Sequence, residues 1–163
     1  MRIGVISDTH ITAEEWCRLS KPLLDALKGV AMIIHAGDIA DMEVIEQLKG
    51  ICKDVRAVWG NMDPYEVRKA LPEKEVITVS KYKIGLTHGW GHPDKLVDAV
   101  TEAFRGEDID IFIFGHSHKA LNKRINNKLY FNPGSPTDKI FADSNTYGII
   151  EVNDSIKATI VEL

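Results

Sequence analysis

Short apolar runs and amphipathic stretches alternate through the first third of the chain. Residues 2–7 (RIGVIS) are a brief apolar run ending at a polar turn, the pattern of a buried strand. Trp16, Leu19, Leu23, Leu24 and Leu27 then recur at helical spacing, which predicts a helix over 13–28 stopped by Gly29. Residues 30–35 (VAMIIH) predict a second strand, and 41–50 (DMEVIEQLKG) a short helix with Asp41 as N-cap and Gly50 as stop. Residues 54–58 (DVRAV) predict a third strand. After Pro72 the pattern changes: 75–79 and 82–87 read as hairpin strands around Ser80 and Lys81. Leu96, Val97, Val100 and Phe104 predict a helix over 93–105, and 109–114 (IDIFIF) another buried strand. Short strands follow near 121–126, 128–131, 146–151 and 156–162, with Asn126-Asn127 a tight-turn signal between the first two.

Alternation of strand and helix in the first half predicts a parallel, helix-flanked sheet. The hairpin-rich second half predicts a second, mostly antiparallel sheet. Packed face to face with helices outside, they make a four-layer αββα sandwich of the α/β (α+β) class, with two mixed β-sheets in a single domain over residues 1–163. No repeat, low-complexity stretch or linker interrupts it.

Composition narrows the function. The net charge is −4, so general nucleic-acid binding, which needs a basic footprint, is not expected. A small phosphate ester remains compatible, because bound cations supply local positive charge. The apolar runs are too short to span a bilayer, and the opening MRIGVISDTH lacks the features of a signal peptide. No membrane association and a cytoplasmic location are therefore expected. Cys17 and Cys52 give no disulfide framework and read as reduced thiols in packed helices.

The candidate chemistry lies where the strands end. Asp8 and His10 follow the first strand, Asp38 the second, and Asn61 and Asp63 the third. His88 follows 82–87, and His116 and His118 follow 109–114. At the carboxyl edge of an α/β sheet such loops converge. Carboxylate, amide oxygen and neutral imidazole suit divalent first-row metals, and the absence of thiolate excludes a cysteine-type zinc site. Seven donors are too many for one tetrahedral ion and enough for two ions sharing a carboxylate. Gly37, Gly60 and Gly115 each precede a donor and would let the backbone come close. His35, inside an apolar run, reads as a packed strand histidine. Asn132-Pro-Gly-Ser reads as a turn supporting the site.

The ordered motifs ISDTH (6–10), IIHAGDI (33–39), AVWGNMD (57–63), LTHGW (86–90), FGHSH (114–118) and FNPGS (131–135) resemble the calcineurin-like metallophosphoesterase superfamily, in particular its small single-domain bacterial and archaeal phosphodiesterases. The resemblance implies that Asp8, His10 and His118 hold one metal, that Asn61, His88 and His116 hold the other, and that Asp38 bridges them. It implies two divalent transition-metal ions, manganese first, with nickel, iron, zinc or cobalt as alternatives. The expected function is hydrolysis of small phosphodiesters by attack of a metal-bridging hydroxide, with a phosphomonoesterase as alternative. A second alternative is a non-catalytic interaction scaffold of the same fold, like the retromer sorting subunit; retention of all seven donors argues for catalysis.

Two positions depart from the family pattern. Met62 stands where many members carry a proton-donating histidine, and Trp90 where many carry another. His92 is the candidate general acid, and Asp63 is expected to orient the ligands rather than bind metal. A homodimer or homotetramer is compatible with short exposed sheet edges.

Overall fold

The computed structural model describes residues 1–163. Ten strands build two five-stranded sheets. The first has the order β10-β9-β1-β2-β3 and the second β4-β5-β6-β8-β7. In the first, β1 (Arg2–Ile6), β2 (Met32–His35) and β3 (Val55–Ala57) are parallel, and β9 (Thr146–Val152) and β10 (Ile156–Glu162) extend them antiparallel. In the second, β5 (Tyr82–Thr87), β6 (Ile111–Ile113) and β8 (Lys128–Asn132) are parallel, with β4 (Lys74–Val79) and β7 (Leu121–Ile125) antiparallel at the edges.

Strand periodicity sets the layers. Ile3, Val5, Met32 and Ile34 face Ile84, Leu86, Ile111, Ile113, Leu129 and Phe131 between the sheets. The alternate residues Ile6 and Ile33 face outward onto Leu23 and Leu27 of α1 (Lys21–Lys28) and Val44, Ile45 and Leu48 of α2 (Met42–Ile51). Likewise Phe112 and Tyr130 pack on Leu96, Val100 and Phe104, where α4 (Leu96–Ala103) covers the second sheet. The central strands of each sheet are thus dry on both faces, as the four-layer sandwich requires, while the edge strands β4, β7 and β10 keep exposed positions.

The two tight turns behave as their sequences predict. Ser80 takes φ 55° in the β4–β5 turn, and Asn126 and Asn127 take φ 48° and 65° between β7 and β8.

Four expectations need correction. The C-terminal hairpin, β9 and β10, joins the first sheet rather than the second, because β9 pairs with the free edge of β1. The second sheet is therefore not mostly antiparallel: β5, β6 and β8 run parallel. The helix expected over 13–28 is two elements, a 3₁₀ segment at Ala13–Arg18 and α1 from Lys21. Pro22 cannot donate to the preceding turn, so the chain breaks and Ser20 restarts it, its hydroxyl accepting the Leu23 N–H at 3.4 Å. A short helix not foreseen, α3 (Tyr65–Ala70), follows Pro64. No helix is long and apolar enough to cross a membrane.

Candidate metal centre

The carboxyl ends of β1, β2, β3, β5 and β6 deliver their loops to one edge of the sandwich. The loops there are wound tightly. Asp8, His10, Asp38, His116 and His118 all have positive φ, between 45° and 71°. That left-handed backbone is costly for residues with a Cβ and persists only where surrounding contacts impose it. Those contacts are specific. The Asp8 N–H donates to the Gly37 carbonyl and the His10 N–H to the Asp38 carbonyl, both at 3.0 Å, locking the first two loops together. The Asp8 carboxylate accepts the His116 N–H at 3.1 Å, tying in the fifth.

The structure brings the seven sequence-derived donors into one cluster. His118 Nε2 lies 3.4 Å from Asp8 Oδ1 and 3.2 Å from His10 Nε2. Asp38 Oδ2 stands between two groups, 3.5 Å from His10 Nε2 and 3.4 Å from His88 Nε2. Asn61 Oδ1 lies 3.1 Å from His88 Nε2 and 2.7 Å from His116 Nδ1. One ligand atom each from Asp8, His10, Asp38 and His118 falls within a 4.8 Å span.

The protonation logic of this cluster is decisive. His88 Nδ1 donates to the Ala36 carbonyl at 2.7 Å, and His116 Nε2 to the Gly91 carbonyl at 3.0 Å. His118 Nδ1 meets the Asp138 carboxylate at 2.6 Å. A neutral imidazole has one N–H, and in each ring an acceptor outside the cluster takes it. In the neutral form the other nitrogen of each ring turns a lone pair inward, toward carboxylate and amide oxygens that also only accept. Acceptors facing acceptors repel unless positive charge sits among them. Divalent cations fit that donor set, and the outward hydrogen bonds are those that orient metal-ligating histidines.

Burial pushes the Asp8 carboxyl above its ordinary range, against the pull of His88 and His118. Burial also opposes charge on Asp38, but the His88 hydrogen bond, the His88 charge and the Met62 N–H hold its pKa below the usual value. Burial disfavours charge on His88, yet Asp38 and Asp8 hold its pKa above the ordinary value.

The glycines before the donors leave necessary space. A Cβ on Gly60 would fall 2.2 Å from Asp38 Oδ1, and one on Gly115 would fall 1.9 Å from Ser7 Oγ and 2.5 Å from Asp8 Oδ2.

Asp63 is placed as a frame, not against substrate space. Buried to 2% exposure, its carboxylate accepts the N–H groups of Asp38, Ile39, Ala40 and Gly60 at 2.7–3.0 Å. His92 is set apart from the cluster. Its ring is 71% exposed, meets Asp94 at 3.4 Å, and makes no hydrogen bond or ion pair with any of the seven donors. His35 is fully buried, its Nε2 3.0 Å from Thr9 Oγ1 and its Nδ1 accepting the Gly37 N–H at 3.2 Å. Burial drives its pKa down to about 3, so it is neutral.

Two supports, Arg68 and Asp138, are not apparent in the sequence; a third, the segment from Asn132, is the supporting turn that the sequence predicts. Arg68, on the unforeseen α3, donates to the carbonyls of Asp63 and Asn61 and lies 5.4 Å over the Trp59 ring. The 132–138 segment underpins two ligand loops, those after β1 and β6. Asn132 donates to the Gly115 carbonyl at 2.7 Å, Ser135 to the Asp8 carbonyl at 2.7 Å, and Thr137 to the Thr9 carbonyl at 2.6 Å. Asp138 holds His118, and its carboxyl sits at about 2: burial raises it, but the Ile140 N–H, His118 and the Phe141 N–H outweigh that. For Asn132 the turn composition was a partial signal; for Asp138 nothing local connects it to a ring that precedes it by 20 residues.

A family model described as a calcineurin-like phosphoesterase superfamily domain matches residues 1–155. The chain belongs to the calcineurin-like phosphoesterase superfamily. It is 39% identical over 140 residues to a probable metallophosphoesterase of Methanocaldococcus jannaschii, spanning 84% of this chain and 69% of that protein. It is 32% identical over 142 residues to vacuolar protein sorting-associated protein 29 of Schizosaccharomyces pombe, spanning 84% and 73% of the two chains. Among solved structures, the sorting protein 29 of Entamoeba histolytica, complexed with zinc, superposes with a TM-score of 0.75 at 27% identity over 99% of each chain. This member of the superfamily thus combines the family fold with a partly buried His/Asp cluster suited to divalent metal.

Proposed function

We propose that this protein is a metal-dependent phosphodiesterase acting on small diesters. The observation that carries the reading is the set of inward ring nitrogens on His88, His116 and His118, each with its other nitrogen bonded outside the cluster, facing Asp8, Asp38 and Asn61. Asp8, His10 and His118 would hold one divalent ion, Asn61, His88 and His116 a second, and Asp38 both. Manganese is the first expectation, with nickel, iron, zinc or cobalt as alternatives. Such ions, when bound, supply Lewis acidity toward phosphoryl oxygens and activate water near neutral pH.

The chain's own residues shape the substrate preference. A cavity of about 1000 Å³ is lined by His10, His116 and His118 together with Arg18, Lys119 and Lys139. That volume suits a small ester, and the cations suit its negative charge. Met62, 67% exposed on the same cavity, has no proton to give, and His92 is turned to Asp94. A positioned general acid is worth about 10²–10⁴-fold. Diesters with stable leaving anions are therefore favoured over monoesters of poor leaving groups, with water as the proton source.

The test is turnover of an aryl phosphodiester beside the corresponding monoester, with Mn²⁺ added to metal-stripped protein. Diester turnover should exceed monoester turnover, and Asp38→Ala should fall to the background rate. Undiminished turnover in that variant would overturn the two-metal reading. The likeness to the sorting protein supports a second reading, a binding scaffold; calorimetry with no heat on Mn²⁺ addition would favour it.

A further inference from the structure

Asp138 lies outside the seven donors, yet four N–H groups converge on its carboxylate. Oδ2 takes His118 Nδ1 at 2.6 Å, the Phe141 N–H at 3.0 Å and the Ala142 N–H at 2.9 Å. Oδ1 takes the Ile140 N–H at 2.9 Å. The loop so folded projects Ile140 and Phe141 into solvent, 81% and 65% exposed, along the wall of the cavity. The Phe141 ring stands edge-on to His118, at 5.8 Å between centroids and 87° between planes.

We propose that Asp138 is a positioning residue that joins the metal centre to the substrate-facing wall. Its carboxylate acts on both sides. Toward the centre, it keeps the proton of His118 on Nδ1, so that Nε2 presents a lone pair beside Asp8 and His10. Toward the cavity, it holds the 138–142 turn that presents Phe141 and Ile140 to the ester's organic group. Only a carboxylate does both. All four partners are donors, and an asparagine in its place would turn an NH₂ group against at least one of them.

The inference rests on the proposed metal reading, because it assigns His118 as a ligand. Its test uses Asp138→Ala and Asp138→Asn, with His118→Ala as reference. Side-chain ¹⁵N spectra of the metal-free protein should show His118 protonated on Nδ1 in the wild type and shifted toward the Nε2–H form in Asp138→Ala. Calorimetry should show Mn²⁺ binding weakened about 10–100-fold in Asp138→Ala, the usual cost of losing such a support, and less in Asp138→Asn. At saturating Mn²⁺, kcat for the aryl diester should recover in Asp138→Ala while KM stays raised several-fold, because the wall remains unfolded. Should Asp138→Ala fail to fold, Asp138→Asn carries the same readouts. An unchanged His118 tautomer and unchanged Mn²⁺ affinity in the Asp138 variants would overturn the inference. Wild-type Mn²⁺ affinity in His118→Ala would instead overturn the metal reading beneath it.

Discussion

The carboxylate of Asp63 accepts the backbone N–H of Asp38 at 3.0 Å, so one aspartate builds the loop on which the other is displayed. Its remaining capacity is spent on Ile39, Ala40 and Gly60. Asp63→Ala leaves these donors without partners in a buried site, at about 1–3 kcal/mol each where water cannot reach. Urea unfolding should show a loss of several kcal/mol, and Mn²⁺ affinity should fall with it because Asp38 is no longer held. Wild-type stability in Asp63→Ala would show that solvent replaces the frame.

Gly60 and Gly115 are required for space. With a Cβ 2.2 Å from Asp38 Oδ1 in one case and 2.5 Å from Asp8 Oδ2 in the other, Gly60→Ala and Gly115→Ala must displace a carboxylate. A displacement near 1 Å costs on the order of 10² in rate, and diester turnover should fall by about that much. Gly50→Ala is the contrast. A Cβ there meets nothing within 4 Å, and the position is helical. It should be neutral in turnover and stabilise the fold by about 0.5–1 kcal/mol.

Metal should stabilise the fold as well as serve the chemistry. Ions that bind only the folded chain, at about 100 times their dissociation constant, add about 2.7 kcal/mol. For a chain of this size that corresponds to a rise in Tm of roughly 5–10 °C. Thermal unfolding in excess Mn²⁺ against excess chelator should show the rise in the wild type and none in Asp38→Ala. Equal shifts in both would place the bound ion elsewhere.

The layers and the edge on which the donors gather were legible because both follow from local patterns. The strands β1, β2 and β6 are continuous apolar runs buried on both faces, and each donor group follows such a run directly. What escaped was long-range or defined by absent atoms. That β9 would take the free edge of β1 is a choice between sheets that neither strand's own pattern encodes. Pro22 is visible, but the leucine spacing runs across it unbroken. Arg68 and Asp138 act through backbone groups distant in sequence, and a carboxylate folding a turn looks like any surface aspartate. His92 is a general-acid candidate because it stands two residues after Trp90, where the family commonly carries a histidine, whereas Pro93 and Asp94 form a turn that keeps the ring at the surface.

His35 supplies a pH dependence whose sign can be worked out. In the folded chain its pKa is held down at about 3 by burial, against 6.5 ordinarily. Between those values the unfolded chain takes up a proton at this position and the folded chain does not. The unfolded state then binds more protons, so stability rises with pH; it is fully present above about 6.5 and is lost as pH falls toward 3. The slope approaches about 1.4 kcal/mol per pH unit. His35→Gln removes the titrating group and keeps an amide able to reach Thr9. In chelator, so that metal release does not contribute, urea unfolding of the two proteins should be compared at pH 7.5 and pH 5. The wild type should lose more stability than the variant over that interval, by about 1–2 kcal/mol. Parallel losses in the two proteins would mean that the folded chain protonates His35 freely, and with it that the Thr9 and Gly37 contacts do not hold the ring neutral.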